Sequence, residues 1–126
     1  MPISDLVRLR VAAAQINPLV GDISGNSKLI LASAAAASKA GVQVLVFPEM
    51  IVTGYPVEDL ALRKTFRIAS IRAITDLAIS LNEAVGPDLL AAVGYLDESV
   101  DGKVDICFDD VHDCELAEKN LIVKMK

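Results

Sequence analysis

The sequence predicts an α/β fold with parallel strands. Val44-Leu45-Val46-Phe47 is an unbroken apolar run that stops at Pro48, the pattern of a strand covered on both faces. An alanine-rich segment of helical length precedes it, and a second strand-length run, Arg8 to Gln15, precedes that. Strand, helix and strand in this order form a βαβ unit, whose right-handed crossover makes the two strands parallel. Of the 126 residues, 53% are apolar and only 4% aromatic, so the core is aliphatic and its elements pack closely on small side chains.

Each element has a local reason. In the first strand, Leu9, Val11 and Ala13 share one face. Asn17-Pro18 and Gly21-Asp22 punctuate the loop after it. Ser24, Gly25 and Asn26 offer N-cap chemistry for a helix running to about Ala40, with Ile30, Ala34 and Ala37 on its apolar stripe. Gly41 is placed to end that helix in the left-handed conformation. Gln43 to Phe47 is the second strand. Pro56 opens a short helix through Arg63, with Glu58 and Asp59 near its positive end. A long helix follows from about Thr65 to Glu83, its stripe formed by Phe66, Ala69, Ala73, Ile74, Leu77, Ala78 and Leu81. Gly86-Pro87-Asp88 breaks the chain, and Leu89 to Tyr95 reads as the third strand. Asp97 to Lys103 is a polar turn, and Val104 to Lys126 reads as two strands joined at His112-Asp113-Cys114-Glu115. The expected order is βαβααβββ in a single domain, 1–126.

Composition narrows the function. The formal net charge is -5 with no basic cluster, which disfavours a nucleic-acid partner. Two cysteines, Cys107 and Cys114, and one histidine, His112, support neither a disulfide framework nor a structural metal site. Asp105, Asp109 and Asp110 lack companion ligands and read as a solvated segment. The N-terminus lacks a signal-peptide pattern, and no run approaches the ~18 apolar residues of a membrane span. A cytoplasmic protein without a membrane partner is expected. No glycine-rich loop of the phosphate-cradling kind is present, so no cofactor is expected on this chain.

Glu49 is the chemical focus. Pro48 cannot donate to a sheet ladder, so Glu49 stands just past the carboxyl end of a parallel strand, where open α/β sheets bind ligands. A carboxylate held against an apolar strand end can act as a general base.

Val11-Ala12-Ala13-Ala14-Gln15-Ile16-Asn17-Pro18, with Val20-Gly21-Asp22 and Gly25-Asn26, resembles the opening strand and loop of the nitrilase, or carbon–nitrogen hydrolase, superfamily. Phe47-Pro48-Glu49 resembles its first catalytic motif. Thr53-Gly54-Tyr55-Pro56-Val57-Glu58-Asp59-Leu60 is similar to the glutaminase domains of glutamine-dependent NAD synthetases. The resemblance runs from about Leu9 to Gly102. It implies an α-β-β-α sandwich, of which this chain supplies a part, and a Glu–Lys–Cys site acting on glutamine or another small amide. In it, Glu49 is the general base for the thiol, a lysine stabilises the oxyanion, and Tyr55 borders the substrate pocket. ATP and the NAD precursor belong to a synthetase domain that this chain lacks.

The C-terminal part departs from that pattern. In register with the family, a Tyr-Asn pair falls on Asp105-Ile106, a hairpin glycine on Cys114, the lysine on Ile122 and Leu-Pro on Met125-Lys126. Ile122 cannot stabilise an oxyanion. Lys124 is the nearest stand-in, two residues along the same strand face and about 6–7 Å away. The family nucleophile lies beyond the lysine. Ile106-Cys107-Phe108-Asp109 resembles the nucleophile motif, which leaves Cys107 either a nucleophile in a rearranged site or an inert packed thiol. The chain is therefore expected to be inactive by itself, the alternatives being a thiol amidase using Cys107 or a non-enzymatic interaction module. Uncovered apolar faces imply a homo-oligomer or association with a completing domain.

Overall fold

The computed structural model describes residues 7–98 and 104–107, the last four as backbone. Three short strands, β1 (Val11–Ala13), β2 (Val44–Val46) and β3 (Leu90–Ala92), form a parallel sheet in the order β1-β2-β3. Helix α1 (Ile23–Lys39) joins the first two strands, and a 3₁₀ turn (Glu58–Leu62) and α2 (Lys64–Val85) join the second and third. Val44 lies opposite Val11 on one side and Leu90 on the other. A second sheet pairs β4 (Tyr95–Glu98) antiparallel with β5 (Val104–Cys107). The element types again run βαβααβββ, with the first of the paired helices a 3₁₀ turn and the first sheet parallel, but the last three strands are not those expected.

The strand order never reverses. Two right-handed crossovers stepping the same way put both helices on one face of the sheet. There α1 and α2 pack together over a core of Ile30, Ala34, Leu45, Phe47, Leu77 and Leu81, among others. Ala12 of β1, and Ala14 and Ile16 just after it, pack against this core. The opposite face carries Leu9, Val11, Ala13 and Val46, all exposed among the described residues. Strand β2 is thus covered on one face only: Leu45 and Phe47 are buried, whereas Val46 is 37% exposed. No helix among the described residues is long and apolar enough to cross a membrane.

Three local expectations need correction. Asp22, not Ser24, Gly25 or Asn26, caps α1: its carboxylate accepts from the Gly25 N–H at 3.0 Å. Asn26 instead lies on the buried side of the first turn. Gly41 does follow the helix with φ +75°. The short helix expected from Pro56 begins later and is 3₁₀, and the Tyr55–Pro56 bond is cis.

The expected third strand, Leu89 to Tyr95, breaks at Val93-Gly94. The Phe47 N–H still donates to the Ala92 carbonyl at 3.1 Å, but Pro48 has no N–H to continue the ladder. The chain leaves the parallel sheet there and enters the second one. Asp97 and Glu98 consequently lie in β4 rather than in a polar turn. The strand pair expected in 104–126 is represented by β5, whose partner is β4. The His112–Glu115 turn, Lys124 and Cys114 lie outside the described residues.

Strand β4 is held by polar groups that the apolar stripe of α2 does not include. Arg67 and Ser70 are buried on the helix, while Ala69 is exposed. The Leu96 N–H donates to Ser70 Oγ at 3.0 Å. Arg67 donates from Nη1 to the Ala61 carbonyl at 3.0 Å and pairs through Nη2 with Glu98 at 3.4 Å. The buried Asp97 carboxylate accepts from the Tyr95 hydroxyl at 3.2 Å and the Glu98 N–H at 2.7 Å.

Replacing Ser70 by alanine strands the buried Leu96 N–H and should cost about 1–3 kcal/mol. Leu77→Ala should cost about 2–5 kcal/mol by opening a cavity between α2 and the sheet. Urea unfolding of the two variants measures both losses.

Candidate functional site

The site is built from two loops that follow the carboxyl ends of β1 and β2. The sheet pairing extends a little past the strands, with the Ala14 N–H donating to the Val46 carbonyl at 2.8 Å. A hollow of about 310 Å³ opens there, lined by Ala13, Ala14, Gln15, Val46, Phe47 and Pro48. Glu49 follows Pro48 and is exposed, rather than held against the apolar strand end as its sequence position suggested.

After Glu49 the backbone makes a tight turn. Met50 takes a left-handed conformation, φ +58°, although its side chain is fully buried. Such a conformation costs a non-glycine residue of order 1–3 kcal/mol and persists where the surroundings over-determine it. They do so here. The Gly54 N–H donates back to the Met50 carbonyl at 2.8 Å, closing the turn. Ile51, Val52 and Thr53 within it are fully buried. The Val52 N–H reaches the Gly94 carbonyl at 3.3 Å, tying the turn to the end of β3.

The turn is also tied to the first loop. The Gly21 N–H donates to the Thr53 carbonyl at 2.8 Å. Gly54, at φ +77°, passes so close to Val20 that a Cβ would sit 2.7 Å from the Val20 Cα. The Asn26 side chain, 2% exposed, donates to the Leu19 and Val52 carbonyls at 2.9 and 3.1 Å and accepts from the Leu19 N–H at 2.9 Å. The sequence gives Asn26 a capping duty and a place in the opening motif of the resemblance, but no buried role. The signal of its real place was its spacing: Asn26, Ile30 and Ala34 recur every four residues, so this amide sits on the apolar stripe of α1.

Tyr55, directly after the turn, is 72% exposed, so its ring does not pack against the loop. The backbone of Cys107 lies opposite Tyr95, the residue after Gly94. The topology therefore brings the end of β5 toward the strand end that holds the Glu49 turn. Lys124 lies outside the described residues, so the structure joins Glu49 and Tyr55 on one segment and leaves the expected lysine unplaced. Among the described residues no group of three or more His, Cys, Asp or Glu side chains converges on a metal position.

The carbon-nitrogen hydrolase family profile matches residues 10–94, and the chain belongs to that family. Among its relatives, the glutamine-dependent NAD(+) synthetase of Rhodobacter capsulatus is 35% identical over 92 residues, 73% of this chain and 16% of that protein. The Thermotoga maritima glutamine-dependent NAD(+) synthetase is 49% identical over 59 residues, 47% of this chain and 10% of that one. The crystal structure of a glutamine-dependent NAD(+) synthetase from Cytophaga hutchinsonii superposes with a TM-score of 0.70 at 28% identity, over 79% of this chain and 16% of that one. The chain thus spans about a sixth or less of the length of these relatives.

Gly54→Ala should destabilise the fold by about 1–3 kcal/mol from the left-handed backbone alone, with the Val20 overlap adding to it. Thermal unfolding followed by circular dichroism measures the loss.

Proposed function

We propose that this chain carries the base-bearing part of a glutamine amide hydrolase site, of the kind that supplies ammonia for NAD synthesis. The observation behind the reading is Glu49, exposed at the head of an over-determined turn beyond the parallel sheet, beside an open hollow. In this reading the Glu49 carboxylate takes the proton of a cysteine thiol. The thiolate attacks the side-chain amide carbon of glutamine, a lysine ammonium stabilises the oxyanion, and ammonia leaves with the proton that Glu49 took; water, deprotonated by Glu49, then cleaves the thioester to release glutamate and the thiol. Tyr55 borders the substrate. The lysine and the thiol come from outside residues 7–98, and the 126-residue chain does not hydrolyse glutamine unaided. The open face carrying Val11 and Val46 is covered by a completing domain or a second copy, in a cytoplasmic protein. ATP and the NAD precursor are held on another domain.

A second reading has one observation in its favour. The pairing of Cys107 with Tyr95 puts its backbone on the strand end next to Gly94, which binds the Glu49 turn. A thiol there would make a rearranged amidase, with Lys124 as the oxyanion partner.

Two assays separate these readings. Purified chain incubated with glutamine should release no ammonia above the blank. Release that disappears in both Glu49→Gln and Cys107→Ser would instead establish the rearranged site. Residues 10–94 grafted into the Rhodobacter capsulatus synthetase, in place of the matching segment, should support NAD formation from glutamine. Glu49→Gln in that graft should lower glutamine-driven synthesis by ~10²–10⁴-fold while leaving ammonia-driven synthesis intact. Equal loss of both would reject Glu49 as the base.

A further inference from the structure

We infer that Asn26 is the positioning residue for Glu49, acting through the Glu49–Gly54 turn; the role rests on Glu49 being the base. The carboxylate follows one fixed point and precedes two more. Before it, the Phe47 N–H is bound to the Ala92 carbonyl. After it, the Met50 carbonyl is bound by the Gly54 N–H, and Val52 is held from both sides. One hold on Val52 is the Gly94 carbonyl on its N–H at 3.3 Å, and the other is Asn26 Nδ2 on its carbonyl at 3.1 Å. The Asn26 side chain thus holds the Val52 main chain directly, and it is itself buried on α1.

The geometry of this amide is divided. Oδ1 accepts from Leu19 and so holds the first loop alone, whereas Nδ2 bridges the Leu19 and Val52 carbonyls and so couples the two loops. A primary amide is the side chain that can do both from one position, since it offers an acceptor and two donors. Removing the donors while keeping an acceptor therefore separates coupling from simple loop support. Asn26→Asp does this in large part: it can still accept from the Leu19 N–H, but as a carboxylate it can donate to neither the Val52 nor the Leu19 carbonyl.

The test is backbone ¹⁵N relaxation on the full 126-residue chain, which needs no catalytic activity. In Asn26→Ala and Asn26→Asp, order parameters across Glu49–Gly54 should fall from about 0.85 to below about 0.6. In Asn26→Asp the Leu19–Asp22 loop, still held through the Leu19 N–H, should keep more order than in Asn26→Ala. Leu77→Ala, which weakens the core without touching the turn, should leave Glu49–Gly54 rigid. If Asn26→Ala does not fold, the aspartate variant carries the test alone. An unchanged turn in Asn26→Asp, or equal loosening in Leu77→Ala, would overturn the assignment. Loss of the base role in the grafted synthetase, with the turn still released by Asn26→Asp, would reject the catalytic reading and leave the coupling standing.

Discussion

A buried primary amide must find partners for its hydrogen-bonding groups, and the architecture around Glu49 follows from how Asn26 finds them. Each unmet group would cost about 1–3 kcal/mol. Asn26 meets this demand with main-chain groups of Leu19 and Val52, which belong to different loops. Once those loops are drawn to a common amide, Gly21 can donate to Thr53, and the backbone of Gly54 lies against Val20 at a distance that excludes any side chain. The left-handed Met50 is tolerated because the chain on either side of it is already committed.

The second organising fact is the single direction of the crossovers. With strand order β1-β2-β3, both helices fall on one face, and the apolar side chains of β1 and β2 divide accordingly. Leu45 and Phe47 join the helical core, while Val11 and Val46 face outward. The hollow beside Pro48 and the exposed Glu49 sit at the carboxyl end of this sheet. Strand β4 then starts a new sheet instead of widening the first. Its anchors are Ser70 and Arg67 of α2 rather than apolar contacts alone, so the long helix serves both sheets.

The parts of the fold legible in the sequence were those governed by local backbone chemistry. Pro48 marks the end of β2 because it lacks a donor, and Gly41 follows α1 at φ +75° because the turn needs a left-handed residue. The Phe47-Pro48-Glu49 and Thr53-to-Leu60 motifs pointed to the family that the profile match shows. What stayed hidden depended on partners distant in sequence. Leu89 to Tyr95 reads as one apolar strand because nothing in it records that Pro48, more than forty residues earlier, withholds the next ladder bond. Asp97 reads as part of a polar turn because its Tyr95 partner is visible only once β4 exists. Asn26 reads as a cap because cap chemistry and burial on a helix stripe use the same residue type, but Asp22, four residues earlier, takes the capping position.

The turn from Met50 to Gly54 has a consequence for how such a chain can change. Its span is closed internally by the Met50–Gly54 bond, pinned in the middle at Val52 and pressed against Val20 at its end. An added or deleted residue would throw all three out of phase at once. The segment therefore works as a ruler of fixed length between Glu49 and Tyr55, and new specificity has to be written outside it, from Tyr55 onward or on the open side of the hollow.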